Sequence, residues 1–409
     1  MIKQIFILLA VFCTLIVSAQ DNTSSPYSYF GIGLPTFNGT TETKSMQGLS
    51  IEADSTRYNL QNPASLGRLH LTTFSVGVTQ KFNNMANAQD KESVRNTTFD
   101  YIGIGIPVGK INFGLGIIPE TTMGYKLRDA TETHTSNFSG RGGLNRLSLS
   151  AGYQIHKNLS IGVEGDYNFG NVQNENILFQ KDIQYGTREK NRSDLSGFSF
   201  KLGAQYETRL SKNLWLHSAI SYAPKLKLDS ENFRKLATIQ ANGSVINENE
   251  IDLANTSFYT PSDLRIGAGI GEGKKWLVGL EYQNIGKASY TNTSFSPNNI
   301  TYKQANAYRI GGYYIPNYRD ITNYFSRITL RAGVRYQETG MTINQEDIDE
   351  FGISFGLGLP AGRYMSSINI GAEYGQRGTT AAGLIKEEFI NIYIGISLSD
   401  KWFIQKKFR

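Results

Sequence analysis

From about residue 70 the chain alternates one apolar residue with one small or polar residue, again and again. "INFGLGI" sets Ile111, Phe113, Leu115 and Ile117 against Asn112, Gly114 and Gly116. "RLSLSAGYQI" sets Leu147, Leu149, Ala151, Tyr153 and Ile155 against Ser148, Ser150, Gly152 and Gln154, and "FINIYIGISL" sets Ile390, Ile392, Ile394, Ile396 and Leu398 against Asn391, Tyr393, Gly395 and Ser397. A period of two marks a β-strand with one apolar face, because successive side chains point to opposite sides of the pleat. The pattern predicts strands near 70–82, 94–107, 110–119, 145–156, 158–170, 196–210 and 213–224. A second set lies near 260–271, 274–285, 301–316, 326–338, 349–360, 364–376 and 387–399, which makes fourteen.

The connections sort by parity. Tight ones stand at 107–110 ("PVGK"), 155–158, 210–213, 271–274 and 360–363. Between them lie long polar stretches at 120–143, 171–195 and 225–258, with moderate ones at 83–93 and 286–300. Short periplasmic turns alternating with long outer loops are what an outer-membrane barrel requires, and a soluble sandwich has no reason to produce them. "NYRDITNYFS", 317–326, is the one long connection on the short side and predicts a helical turn. "GIGEGKK", 269–275, lacks the spacing and the following helix of a phosphate loop and reads as a turn.

The two faces agree with a barrel. Apolar sides end in tyrosine, with Tyr167, Tyr222, Tyr282, Tyr336 and Tyr374 towards one rim and Tyr153, Tyr206 and Tyr314 towards the other, as at two membrane–water interfaces. The opposite sides carry Glu164, Asp166, Lys201, Arg265, Glu281, Arg309, Arg331, Arg335 and Glu373. Such charges are costly against lipid and tolerated in a polar lumen. Part of that inward face is bare: Gly103, Gly105, Gly114, Gly116, Gly352, Gly356 and Gly358. Rows of glycine signal either a second backbone packed close or simply a tight wall. The expected fold class is all-β, a 14-stranded antiparallel transmembrane β-barrel.

Composition narrows the function. The opening "MIKQIFILLAVFCTLIVSAQ" has a basic start, a short apolar core and a small-residue end, the pattern of a signal peptide cut before Gln20. The lone cysteine, Cys13, falls inside it, so a mature chain would hold neither disulfide nor thiolate-bound metal. The net charge of +6 is spread along the chain, which speaks against a nucleic-acid partner. No later apolar run reaches the eighteen residues of a membrane helix. Four histidines, His70, His134, His156 and His217, stand in no catalytic or metal-ligating spacing, so we expect no enzyme, no metal and no cofactor.

Residues 21–69 do not alternate, yet Tyr27, Tyr29, Phe30, Ile32, Leu34, Leu49 and Ile51 need burial. The segment is too short for a domain of its own, and a fourteen-strand barrel encloses more space than its side chains fill. It therefore reads as an N-terminal plug in the lumen. Its last bend is "YNLQNPASLGRL", where Pro63 would fix a corner and Asn62 would bond neighbouring backbone. The expected organisation is a signal peptide at 1–19, a plug at 20–69, a barrel at 70–399 and a basic periplasmic tail at 400–409.

With Asn62, Pro63 and Ala64 in a hatch-sized segment ahead of fourteen strands, the chain resembles the FadL-like outer-membrane transporters. "SPYSYFGIG" and "ISLSDKWFIQKKFR" place it on a divergent envelope branch of that family. The resemblance implies a hatch-plugged barrel in the outer membrane of a Gram-negative bacterium, with Asn62, Pro63 and Ala64 as the hatch motif. It also implies passive uptake of hydrophobic, long-chain fatty-acid-like molecules through the barrel and a lateral wall opening. The alternative is a non-transporting accessory subunit of a β-barrel assembly machine or secretion complex, with "KWFIQKKFR" docking an envelope partner. Outer-membrane lipid is a partner in both.

Overall fold

The computed structural model describes residues 25–289, 299–320, 322–361 and 366–401. The expected signal peptide and nearly all of the expected basic tail lie outside them. Fourteen strands build the wall. In chain order they are β1 (Thr72–Ala86), β2 (Lys91–Pro107), β3 (Ile111–Ala130), β4 (His134–His156), β5 (Leu159–Gln180), β6 (Gly186–Arg209) and β7 (Trp215–Ala223). They continue as β8 (Asp263–Glu272), β9 (Trp276–Ile285), β10 (Ala305–Tyr314), β11 (Thr329–Ile343), β12 (Glu346–Pro360), β13 (Ser367–Arg377) and β14 (Lys386–Asp400). Each pairs antiparallel with the next, and β14 returns to β1 over the full register from Lys386↔Ala86 to Asp400↔Thr72. Closure removes the free edges that hydrocarbon cannot satisfy.

All fourteen expected strands are present, and the largest differences lie on the outer side. β3 to β6 have 20, 23, 22 and 24 residues, whereas β8, β9 and β10 have 10 each. Crossing a bilayer takes roughly 9–11 residues of tilted strand, so the longer strands stand well above it. The stretches 120–143 and 171–195, expected as loops, are instead the tops of hairpins that turn only at 131–133 and 181–185. The moderate stretch 83–93 is likewise mostly strand. The region 225–258 holds three further strands, Lys227–Ile239, Val245–Asp252 and Thr256–Tyr259, the first paired with the outer half of β6. A ladder satisfies backbone donors and acceptors whatever the side chains, so polar sequence with water on both faces can remain strand. The link at 317–326 does carry a helical turn, a 3-10 turn at Phe325–Arg327.

Outward positions are apolar and exposed: Ile394 is 45% accessible, Leu280 59% and Phe355 59%. Inward positions are charged and buried, with Glu164 at 2% and Arg309 at 5%. Such a continuous outward band far exceeds the apolar patches that water tolerates, and it fits hydrocarbon. Tyrosines stand at both rims of the band, Tyr167, Tyr222, Tyr336 and Tyr374 at one and Tyr153, Tyr206 and Tyr314 at the other.

Candidate functional site: the filled lumen and the split wall

The chain from Ser25 to Leu69 runs along the inward face of the ring as short turns joined by extended pieces. A 3-10 turn at Pro26–Tyr29 leads to a two-residue strand at Leu34–Pro35, a helical turn at Thr41–Lys44 and a 3-10 turn at Pro63–Arg68. The last turn is built locally. Asn62, placed before proline, is pushed to extended geometry (φ −135°, ψ 112°), and Pro63 takes the first helical position, where no N–H is needed. The Asn62 side-chain oxygen then accepts from the Ala64 N–H at 3.0 Å as an N-cap. Its amide donates across the lumen to the Ile220 carbonyl at 3.1 Å.

This inner chain touches all fourteen strands, and nearly always at a glycine. Thr41 lies against Gly77 and Gly395, Ser45 against Gly356 and Gly371, and Met46 against Gly311 and Gly333. Ile51 covers Gly267 and Gly279, and Tyr58 covers Gly103 and Gly114. Asn62 meets Gly203 as well as β7, Pro63 meets Gly162 and Gly67 meets Gly152. A methyl at Gly162 would stand 2.3 Å from the Pro63 carbonyl carbon. Of the inward glycines singled out by sequence, Gly103, Gly105, Gly114, Gly116, Gly352 and Gly356 face this chain, while Gly358 faces the Arg331 guanidinium. Side chains of the inner chain thus fill the space above those six, while its backbone presses on Gly152, Gly162, Gly311 and Gly333.

Charge holds the same contact. Lys201 Nζ lies 2.8 Å from Glu164 Oε1, whose other oxygen accepts from Ser150 at 2.9 Å. Arg146 bridges Glu120 at 3.2 Å and Asp166 at 3.7 Å, and Asn38 of the inner chain donates to Glu120 at 3.0 Å. Glu281 accepts from the Ser50 N–H and hydroxyl at 2.9 and 2.8 Å and faces Arg309 at 3.8 Å. Glu373 takes Gln47 at 3.1 Å and Arg335 at 3.4 Å. Arg335 and Arg377 share Glu350, Arg265 pairs with Asp263 at 3.0 Å, and Arg331 reaches Glu42 through Asn369. The nine lumen charges expected from sequence therefore all face inward, but in separate clusters around the ring. Of their partners, Glu120 at a bulge and Arg377 past the end of an expected strand escaped the sequence pattern, whereas Arg146 and Glu350 stand in phase with Ser148 and Gly352 on expected strands and were legible there.

The wall is not continuous. The β2–β3 ladder runs from Pro107↔Asn112 to Ile102↔Ile117 and stops, although β2 continues against β1 to Lys91 and β3 against β4 to Ala130. Two bulges face each other at the end of the ladder, leaving Asp100 of β2 and Glu120 of β3 without counterparts, and Pro119 beside the second has no N–H to give. Bulges bend a strand and raise its twist, and proline withholds a ladder bond, so the two strands part. Lys44 holds Asp100 at 2.8 Å, while Asn38 and Arg146 hold Glu120. The β3 side of the split is covered by the inner chain: Leu34 and Pro35 pair with Thr122 and Thr121, Thr36 N–H donates to Glu120 and Ser25 N–H to Gly124, both at 3.0 Å. Outward of Ile102 the other edge of β2 has no strand beside it among the described residues. A cavity of about 370 Å³ occupies the outer lumen behind it, lined by Ile32–Asn38, by Val94 and Phe99, by Phe258–Pro261 and Arg265 on the far side of the ring, and by the charges Lys81, Arg335 and Glu350.

Near the short-turn rim, Glu52 accepts from the Tyr313 hydroxyl at 2.8 Å. Burial, reinforced by the neighbouring Asp54, pushes its carboxyl up to about 7. Histidine does meet carboxylate across strands, His217 with Glu207 at 3.6 Å and His134 with Asp129 at 3.8 Å, and the Thr131 hydroxyl lies 2.9 Å from His134 Nδ1 at an exposed hairpin tip. No metal-ligating cluster occurs among the described residues.

A closed fourteen-strand barrel with an apolar outer band, a polar interior and an opening beside its third strand is an outer-membrane barrel of FadL-like fold. It is similar to the Ralstonia pickettii toluene transporter TbuX (TM-score 0.58, 13% identity, 89% of this chain and 99% of that one). It is also similar to a Pseudomonas aeruginosa FadL homologue (0.59, 12%, 89% and 98%) and to the Pseudomonas putida toluene transporter TodX (0.55, 14%, 91% and 100%). No curated protein matches the sequence. The BamG family model matches residues 1–409, and the chain belongs to the BamG family.

Proposed function

We propose that this barrel is a non-transporting accessory subunit of an outer-membrane protein-assembly or secretion complex. The filled cross-section carries this reading: a chain in contact with all fourteen strands, tied by hydrogen bonds to the buried Glu281 and Glu373 and by the Lys44–Asp100 ion pair, blocks the barrel axis. A hydrophobic solute in that space would strip hydrogen bonds from buried charges and return none, at a cost of several kcal/mol for each ion. Membership of the BamG family favours the same reading. The plug at 20–69, the barrel at 70–399 and the tail at 400–409 are its parts, with Asn62, Pro63 and Ala64 as a seal rather than a gate. Extraction in mild detergent followed by mass spectrometry tests it. Envelope proteins in fixed ratio with the barrel are expected, and a barrel that elutes alone rejects the proposal.

The second reading, passive uptake of a hydrophobic small molecule, is favoured by the split between β2 and β3 and by the likeness in fold to two toluene transporters. In this reading Asn62, Pro63 and Ala64 form the corner of a hatch. Reconstitution into lipid vesicles with an apolar dye decides it, because faster dye entry than in barrel-free vesicles is required.

A further inference from the structure

We propose that the cleft between the top of β2 and the outward face of β3–β6 binds the phosphorylated sugar headgroup of an outer-leaflet glycolipid. The site lies outside the filled lumen and is independent of what the barrel carries or joins. Beyond the end of the β2–β3 ladder the two sides of the split enclose a cavity of about 1350 Å³. One side is β2 at Glu92, Val94, Arg95, Asn96 and Thr97. The other is the tall sheet. Arg141 stands opposite Gln173, Gln173 opposite Arg192 and Arg192 opposite Phe233, so these four share a face. Lys126, Ser139, Glu175 and Lys190 form the next rung by the same pairing. Gln173 and Glu175 keep the phase of the rim tyrosine Tyr167 along an unbroken ladder, which turns both rungs outward. Val172 and Leu195, on the opposite face, cluster with Ile32 of the inner chain.

The charges in the cleft define the ligand. Lys190 pairs with Glu175 at 3.8 Å, Arg192 with Asp194 at 2.8 Å and Lys235 with Glu250 at 3.2 Å. Arg95, Lys126 and Arg141 pair with no carboxylate among the described residues: Arg95 rests over the Phe82 ring, and Arg141 donates to the Gln173 side-chain oxygen at 3.0 Å. Against these three cations stands one unpaired carboxylate, Glu92. Lys126 and Arg141 are diagonal neighbours across β3 and β4, within reach of one phosphate between them. Ser139, Gln173 and Thr97 add neutral hydrogen-bonding groups, and the Phe233 ring, 40% exposed, adds an apolar face. Height selects the anion. Gln173 lies six residues beyond Tyr167, roughly 20 Å of strand and about 14 Å of height at barrel tilt. A phospholipid headgroup layer is only ~5–8 Å deep, so an anion at this level sits on a longer, sugar-built headgroup. Glycolipid of that kind fills the outer leaflet of a Gram-negative outer membrane. The exposed Ile102 and Ile117 at the end of the ladder give its acyl chains an apolar wall below the cleft.

Hydrogen–deuterium exchange on the full chain in lipid nanodiscs tests this, with phosphatidylcholine discs as the baseline. The probes are rough lipopolysaccharide in the disc, its delipidated phosphorylated core oligosaccharide added free, that oligosaccharide after phosphatase treatment, and phosphatidylglycerol discs. Lipopolysaccharide should slow exchange at 124–126 and 139–141 about tenfold. The double variant Lys126→Gln with Arg141→Gln should bring exchange there back to within about twofold of the baseline. Both side chains are exposed, so this variant should keep the folded barrel's heat-resistant gel mobility. Lys181→Gln, the same change of charge at a hairpin tip outside the cleft, should keep the slowing. Protection by the free phosphorylated oligosaccharide assigns the site to the headgroup alone, and protection by the whole lipid only assigns it to the headgroup seated over the split. Either result upholds the proposal. No slowing by lipopolysaccharide, equal slowing by phosphatidylglycerol or by the dephosphorylated oligosaccharide, or slowing that survives in the folded double variant each overturns it.

Discussion

Replacing Gly162 with alanine sets one methyl group against the contact between the wall and the inner chain. The new carbon would lie 2.3 Å from the Pro63 carbonyl carbon and 2.5 Å from the Ala64 nitrogen, both backbone atoms that cannot rotate aside. Reaching ordinary van der Waals separation requires the corner to retreat by about 1 Å, and overpacking of this kind costs roughly 1–3 kcal/mol. The retreat also strains the Asn62 contacts to Ala64 N–H at 3.0 Å and to the Ile220 carbonyl at 3.1 Å, each worth about 1 kcal/mol. Local opening should then be easier by ~1–3 kcal/mol, so exchange of the 62–66 amides should quicken roughly 5- to 150-fold. The control is Gly165→Ala on the same strand, where a methyl meets nothing within 4 Å. Exchange mass spectrometry on both purified variants reads the difference directly. Indistinguishable exchange at 62–66 would mean that the inner chain does not press on the wall, and the account of the inward glycines would fall with it.

Three further outcomes follow from the same contacts. Asn62→Ala removes the cap on Ala64 and the bond to β7, and should loosen residues 62–68 by about 1–3 kcal/mol, seen as faster exchange there and not in β14. Lys201→Met leaves the buried Glu164 carboxylate without its cation, at a cost of roughly 3–5 kcal/mol. The heat-modifiability midpoint should drop, and the double variant with Glu164→Gln should regain most of the loss. Glu52, raised to about 7 from an unfolded value near ~4.3, contributes stability that is complete below that lower value and is lost as pH rises through 7. Exchange of residues 50–56, corrected for intrinsic rate, should therefore be faster at pH 8 than at pH 5, and Glu52→Gln should remove the difference.

Residue order alone located the wall. A strand with lipid on one side and a charged lumen on the other admits almost no exception to alternation, so stretches such as Phe389–Leu398 announce both their secondary structure and their two faces. Bare inward glycines pointed to a close neighbour for the same reason, since a position that excludes a side chain leaves its trace in composition. Asn62 and Pro63 announced a corner through their own backbone preferences. The heights of β3 to β6 were not legible, because polar sequence above the membrane carries no periodic signal whether it is loop or paired strand. Nor was the matching of charges. Glu281 is as inward in the pattern as Glu373, yet one takes Ser50 and the other Gln47, and those partners are set by the path of a chain more than two hundred residues away in sequence. The split had a single trace, Pro119 in a strand. A ladder ends where two strands fail to match, and the bulges at Asp100 and Glu120 exist only relative to the strands beside them. Alternation is a property of one strand, whereas a seal, a charge network and a gap are properties of strands brought together.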